Sequence, residues 1–396
     1  MREVDTLGQS CNQSGPSTAG ITPEGSHPAG RPGPCIELLV VDDSAVVRSV
    51  ISEILCEEPD IHVTVAADPL IAMEKMKRQR PSVILLDLEL PRMSGIKFLR
   101  KIMAEDPIPV VIISVQTAPG STDVLAALDE GALDIITKPA LGVRKFLYES
   151  SILLVDAVRA ASQARLHPRP KFSFPAVTDK LPSVALTPPK STLSHSFSSK
   201  VVAVGASTGG TEALYEFLKP MPPDAPGIVA VMHMPEVFTA AFARRLDSLC
   251  QINVKEAADG DVVVRGQALI APGNRHTRLH RRGGNYVVEV VDGPLVSRHR
   301  PSVDVLFRTT AEAAGPNAIG VIMTGMGDDG ARGLWEMRKA GARTLAQDET
   351  SCVVFGMPRE AIRRGAVERV CPLQFLAQAV LENAQAVVPA TKVNPQ

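Results

Sequence analysis

"VVAVGASTGGTEALYEFL" occupies positions 201–218. An apolar run, a glycine-rich turn carrying Ser207 and a helical stretch follow one another without a break, which is how a parallel α/β sheet begins. Further along, "GIVAVMH" (227–233), "AIGVIM" (318–323) and "RTLAQDE" (343–349) read as buried strands. Helices are expected to start near Glu236, Ser302, Asp328 and Met357. "HTRLHRRGGNYVVEVV" (276–291) alternates around a Gly-Gly pair and predicts an antiparallel hairpin at a small mixed edge. The expectation is a doubly wound α/β domain over residues 200–389, with that hairpin attached.

Upstream, residues 161–199 are rich in proline and serine and carry no periodic apolar stripe, the composition of an interdomain linker. Before it, residues 35–160 alternate strand and helix five times. "IELLVV", "IHVTVAA", "SVILLDL", "PVVIIS" and "DIITKP" are the strands. Helices follow from "SAVVRSVISEILCEE", Asp68, Gly95, Thr122 and about Val143. The first helix is expected to bury Val46, Val47, Val50, Ile51, Ile54 and Leu55 on one face. Five such units predict a flavodoxin-like domain, a five-stranded parallel sheet covered on both faces. Residues 1–34 lack aromatic residues and are rich in Gly, Pro, Ser and Thr, so a disordered tail is expected there.

Composition narrows the function class. A chain of 396 residues with 45% hydrophobic and 21% charged residues fits two soluble domains. A formal net charge of -1 offers no electrostatic case for nucleic acid or an anionic membrane. Its six cysteines are scattered without a CxxC pair, which speaks for a reducing compartment and against a disulfide framework or zinc site. The apolar runs are strand-sized, too short for membrane insertion, and the first residues lack the apolar core of a secretion signal. A cytoplasmic protein is expected.

In the first block, polar residues stand where buried strands end: Asp42 and Asp43, Asp87, Ser114 and Lys138. In flavodoxin-like order strands one and three are neighbours, which gathers Asp42, Asp43 and Asp87 at one spot. Three carboxylates together call for a cation, and an all-oxygen site suits Mg²⁺. Lys138 and Ser114 are then placed to bind phosphoryl oxygens. Each residue alone also fits an ordinary turn or cap; all five in this order do not.

In the second block, "GASTG" satisfies G-x-S-x-G, a turn that exposes a serine hydroxyl, although glycines here also suit a plain tight turn. A serine nucleophile needs a base and a group to orient it. Of eight histidines, His27, His167 and His195 fall in the tail or linker and His62 in the first block. His276 and His280 belong to the hairpin, and His299 to the approach of a helix starting at Pro301. His233 ends a buried strand, as Ser207 does. Asp328 and Asp329 in "VIMTGMGDDG" are the carboxylate candidates, with metal ligation and helix capping as their other readings.

Two resemblances carry these residues further. "VDDSAVVRSV", "ILLDLELPRMSG", "VVIIS" and "TKP" resemble the receiver domain of two-component response regulators. The resemblance implies Asp87 as phospho-acceptor, Asp42 and Asp43 as Mg²⁺ ligands with it, Ser114 and Lys138 as phosphoryl-sensing residues, and a sensor histidine kinase as phosphodonor. Ser94 stands where an acidic residue is common, and Ile135 where the family often has an aromatic switch residue. "GASTGG", "HMP", "RPSVDVLF", "TGMGDDG" and "SCVVFGMPREA" resemble the catalytic domain of the chemotaxis protein-glutamate methylesterases and glutamine deamidases. That resemblance implies Ser207 as nucleophile, His233 as base and Asp329 as its orienter; backbone N–H groups near Thr208 and Met326 are the candidate oxyanion donors. Met232 replaces the glutamine usual before the histidine. The implied reaction is hydrolysis of glutamate γ-methyl esters on methyl-accepting chemotaxis receptors, or deamidation of their glutamines, without a cofactor at the serine. The unphosphorylated receiver is expected to cover the Ser207 crevice. The rival readings are a receiver-linked esterase for a small molecule and a non-catalytic signalling adaptor.

Overall fold

The computed structural model describes residues 35–114, 122–138, 144–166 and 199–385. The expected tail over 1–34, the linker over 167–198, the helix start at Val143 and residues 386–389 lie outside the described residues.

The first domain is built from β1 (Ile36–Val41), α1 (Ala45–Cys56), β2 (Ile61–Ala66), α2 (Pro69–Arg78), β3 (Val83–Asp87), α3 (Gly95–Glu105), β4 (Val110–Ser114), α4 (Thr122–Asp129), β5 (Asp134–Thr137) and α5 (Arg144–Ser162). Its sheet is parallel, in the order β2-β1-β3-β4-β5. Alternation along β1 explains the two layers. Leu38 and Val40 pack with Ile51, Leu55 and Val158 on one face. Leu39 and Val41 pack with Ala72, Phe98 and Ile102 on the other. Helix α1 buries Ile51 and Leu55, whereas Val46, expected on the same face, is exposed. It sits about 100° around the helix from Val47, which puts it outside the stripe. Asp68 starts α2 by accepting from the N–H groups of Leu70 and Ile71 at 2.8 and 3.0 Å, with Pro69 in the first turn.

The second domain follows as β6 (Val201–Ala206), α6 (Gly210–Leu218), β7 (Gly227–Met232), α7 (Glu236–Leu249), β8 (Asn253–Glu256), β9 (Gln267–Ile270), β10 (His276–Arg282), β11 (Asn285–Val291), α8 (Val303–Ala314), β12 (Ala318–Ile322), α9 (Ala331–Lys339), β13 (Arg343–Gln347), α10 (Met357–Arg363), β14 (Arg369–Cys371) and α11 (Leu373–Gln385). Seven parallel strands run in the order β14-β13-β12-β6-β7-β9-β8. Every residue of β6, β7 and β12 is buried, as a sheet covered on both faces requires. Phe217 of α6, Phe238 of α7 and Leu376 of α11 cover one face; Phe307 of α8, Leu334 of α9 and Met357 of α10 cover the other. The hairpin β10–β11 is present, but it is a separate two-stranded sheet and not a mixed edge of the large one. Its Leu279 and Val288 join the core under α8.

Helix α8 crosses the centre of this sheet, and glycine makes room for it. A Cβ on Gly205 in β6 would lie 2.2 Å from Val303 Cγ1. Gly205→Ala is therefore expected to cost about 1–3 kcal/mol through overpacking. Denaturant melts should show a lowered midpoint with an unchanged m-value; a midpoint equal to wild type would mean that α8 is not held this tightly.

Candidate functional site

β12, β6 and β7 are adjacent in the sheet, and the chain leaves all three at the same end. Ser207 follows β6 directly and His233 follows β7 directly. Asp329 comes from the glycine-rich loop after β12. The two turns interlock: Ser207 N–H donates to Thr324 O at 3.0 Å, and the Thr324 hydroxyl donates to Thr208 O at 3.0 Å. Gly209 completes the serine turn at φ +77°, and a Cβ there would also strike Val353. The peptide N–H groups of Thr208 and Met326 have no acceptor among the described residues, and both residues line the same cavity as Ser207 and His233.

Asp329 is fully buried and accepts four hydrogen bonds. Oδ1 receives Ser302 Oγ at 2.7 Å and Asp304 N–H at 3.0 Å. Oδ2 receives Val303 N–H at 2.7 Å and His233 Nε2 at 2.9 Å. The helix-capping alternative thus holds for a different helix from the one expected. Asp329 caps α8, whereas α9 starts later, at Ala331 after a left-handed Gly330. Burial pushes its carboxyl up, but the hydrogen bonds from His233 and the α8 amides outweigh it and leave it below the usual range. With Asp329 ionised, His233 carries its proton on Nε2. Nδ1 is then the lone-pair nitrogen, buried with no hydrogen-bond partner among the described residues. No hydrogen bond joins Ser207 Oγ to it among those residues.

The approach of His299 to this site was not visible in the sequence. Its ring stacks on His233 at 3.7 Å between centroids and 7° between planes, although its position ahead of a helix had argued for a plain loop role. Nδ1–H donates to Ser297 O at 2.7 Å. Burial, followed by the neighbouring His233, pushes its pKa down to about 3, so the ring stays neutral. His233, His299 and Asp329 have ligand atoms within 4.8 Å of one another. Stacked rings, however, send their lone pairs along near-parallel lines that cannot meet at one tetrahedral ion.

In the first domain Asp42, Asp43 and Asp87 also bring carboxylate oxygens within 4.8 Å of one another, at the carboxyl ends of β1 and β3. Lys138, just past β5, places Nζ 2.8 Å from Asp42 Oδ2 and 2.6 Å from Asp87 Oδ2. Burial raises the Asp87 carboxyl above its ordinary value, partly offset by Lys138. Burial lowers Lys138, but its two carboxylate partners leave it raised and firmly cationic. Ser114 ends β4 next to Thr137 of β5, and its carbonyl accepts from Lys138 N–H at 2.7 Å. The set fits a divalent cation: Asp42 and Asp87 are buried and Asp43 is exposed, three hard oxygen donors gathered at one point.

The chain matches the CheB methylesterase family over residues 202–380 and the response regulator receiver domain over residues 38–145. It is 59% identical over 348 residues to protein-glutamate methylesterase/protein-glutamine glutaminase 3 of Geobacter metallireducens, spanning 87% of this chain and 98% of that relative. It is also 59% identical over 361 residues to protein-glutamate methylesterase/protein-glutamine glutaminase 5 of Anaeromyxobacter dehalogenans, spanning 91% and 99%. The chain belongs to the protein-glutamate methylesterase/protein-glutamine glutaminase family. Among solved structures it is similar to the Thermotoga maritima CheB methylesterase catalytic domain, with 38% identity over 46% of this chain and 97% of that one and a TM-score of 0.45.

In this methylesterase the receiver lies against the serine turn. Gly209 N–H donates to Leu133 O at 3.3 Å, and Thr208 Oγ1 donates to Asp134 Oδ2 at 2.8 Å. Arg298 pairs with Asp156 of α5 at 3.2 Å, and Arg245 reaches Asp129. A cavity of about 290 Å³ between the domains is walled by Ser207, His233 and Met326 on one side and by β5 and α5 on the other.

Burial between the domains pushes Asp134 up to about 6, against the pull of Thr208 Oγ1–H, the Ile135 N–H and nearby His233. The docked state therefore holds this proton more tightly than an undocked receiver would. Docking is favoured at low pH and loses that contribution as pH rises from about 4 through about 6. The basal rate of unphosphorylated enzyme, divided by that of Asp134→Asn, should climb across this window and then level off. A ratio that stays flat throughout would show that Asp134 does not titrate with docking.

Proposed function

We propose that this family member hydrolyses glutamate γ-methyl esters on chemotaxis receptors through Ser207, His233 and Asp329, and deamidates receptor glutamines at the same centre. His233 carries the reading, with one nitrogen tied to an ionised buried carboxylate and the other unpartnered in the cavity that holds Ser207. Ser207 Oγ attacks the ester carbonyl as His233 Nδ1 takes its proton. The N–H groups of Thr208 and Met326 hold the oxyanion, a contribution of about 3–4 kcal/mol per donor in comparable sites. Methanol leaves with the proton from His233, water repeats the attack, and glutamate is released. Ammonia leaves instead when the substrate is glutamine. Relative to the serine-protease arrangement, the two imidazole nitrogens exchange places: Nε2 faces the aspartate.

Asp87 is the phosphoryl acceptor, charged by a sensor histidine kinase, and Lys138 and Ser114 hold the phosphoryl oxygens. Asp42, Asp43 and Asp87 would hold Mg²⁺, which when bound neutralises the charge of the incoming group. The receiver over residues 35–160 and the esterase over 200–389 are joined by the 161–199 linker. No described helix is long and apolar enough to cross a membrane, which agrees with action from the cytoplasm on receptor segments exposed there.

Methanol release from methylated receptor tests the esterase. Ser207→Ala should lose nearly all turnover while keeping its thermal midpoint, and Asp329→Asn should fall by ~10⁴-fold. Substantial turnover by folded Ser207→Ala would sink the assignment. On the receiver, Asp87→Asn should take no phosphate from a small-molecule donor with Mg²⁺ present. Mass spectrometry that finds a stable phosphoryl group elsewhere in that variant would show the acidic cluster to be misread.

A further inference from the structure

The cavity over Ser207 is closed by one face of a helix. Leu153, Asp156, Ala157 and Ala160 of α5 line it, at the i, i+3, i+4, i+7 spacing of a single helical stripe. The catalytic domain meets that stripe with Arg298. The residue sits in a turn closed by mutual backbone hydrogen bonds between Val296 and His299 at 3.1 and 2.9 Å. Ser297 and Arg298 both adopt left-handed φ, at 49° and 66°. Two successive non-glycine residues in that region are costly, and such strain concentrates where a side chain must be presented. The guanidinium Nη2 lies 3.8 Å from where a Cβ on Gly327 would be, next to the proposed oxyanion donor Met326. Arg300, by contrast, is held within its own domain by Asn274 Oδ1 and Gly293 O.

Among the described residues, Asp156 is the one carboxylate paired with Arg298, and the receiver supplies it. The pair is loose. A single Nη1–H to Oδ1 contact of 3.2 Å joins them, Asp156 Oδ2 is buried without a hydrogen-bond partner, and the Arg298 side chain remains half exposed. The forked arginine–carboxylate geometry that Arg159 makes with Asp60 within the receiver is not formed here. Burial also raises the Asp156 carboxyl, and Arg298 only partly offsets this. The carboxylate sits on a stripe that also carries two small residues, Ala157 and Ala160, lining the cavity that holds Ser207.

We propose that Arg298 determines substrate specificity by binding a carboxylate about one helical turn from the scissile ester, on a helical, glutamate-bearing peptide, and that Asp156 of α5 takes the place of that carboxylate when the receiver is docked. The proposal rests on the Ser207 esterase reading. It makes the receiver a mimic of the substrate helix and not only a lid. A peptide with several modifiable glutamates supplies such carboxylates itself, because every completed hydrolysis leaves one behind.

The test uses the full chain, phosphorylated, with two helical peptides. Each carries one γ-methyl glutamate; four residues away one has Glu and the other Met, a neutral side chain of similar length that the enzyme cannot hydrolyse. The neutral α-N-methylamide of N-acetyl glutamate γ-methyl ester serves as a probe of the chemistry alone. Wild type should show a KM roughly tenfold lower for the Glu peptide, the scale of a charged hydrogen bond. Arg298→Ala should remove that preference by raising KM with little change in kcat, and Arg298→Lys should restore part of it. In the unphosphorylated chain, Asp156→Asn should raise turnover of the Glu peptide. Equal KM values for the two peptides in wild type, or an equal effect of Arg298→Ala on both, would overturn the specificity role. An unchanged basal rate in Asp156→Asn would overturn the mimicry. If wild type leaves even the neutral ester intact, the esterase reading itself has failed.

Discussion

The carboxylate of Asp329 is the constraint on which the site depends. An ionised group with no water around it is expensive unless its oxygens are filled. Here the start of α8 fills three of the four positions, and His233 takes the last. The helix end also brings a favourable dipole. The start of α8 must therefore reach the loop after β12, and this is possible because Val303 sinks between Gly205 and Gly330, where any Cβ would collide with it. The glycines on either side of the crevice and the orientation of the imidazole thus follow from one buried charge. Asp304, the second acid of the α8 start, answers Gly333 and Ser297 in the same way and ties α9 and the Arg298 turn to the same point.

The frame was legible because buried parallel strands leave an unambiguous record. "VVAVGA", "GIVAVM" and "AIGVI" are apolar throughout, and Ser207 and His233 stand immediately after the first two. Strands β8 and β14 left no such record: "NVKE" and "RVC" are short edge strands with exposed polar positions. The independence of the hairpin was also hidden, since alternation in β10 and β11 shows that they pair but not which sheet they join. His299 was passed over because its contact with His233 is created by a turn with two left-handed residues, and neither serine nor arginine advertises that conformation. Asp134 was missed for a different reason: its partner Thr208 belongs to the other domain, and no local pattern reports on docking.

The arrangement separates chemistry from access. The residues that would make and break bonds are held by contacts within the second domain. Among the described residues the receiver side touches the serine turn, the Arg298 turn, α7 and the 349–353 loop, where Arg165 pairs with Glu349 and Val353 packs against the receiver core. Nothing in the hydrogen-bonding of His233 or Asp329 depends on the receiver, so its departure leaves the crevice intact.

Strand β5 is four residues long, roughly 13 Å. Just beyond one end, Lys138 holds Asp87; at the other, Asp134 and the preceding Leu133 carbonyl grip the serine turn. The two sites are thus opposite ends of one short rod. Hydrogen bonds fail within a few tenths of an ångström beyond their ordinary length, and the Leu133–Gly209 contact, at 3.3 Å, already stands near that limit. An anion that drew Lys138 away from Asp87 would thus pull on a strand whose far end holds the serine turn by contacts with little slack.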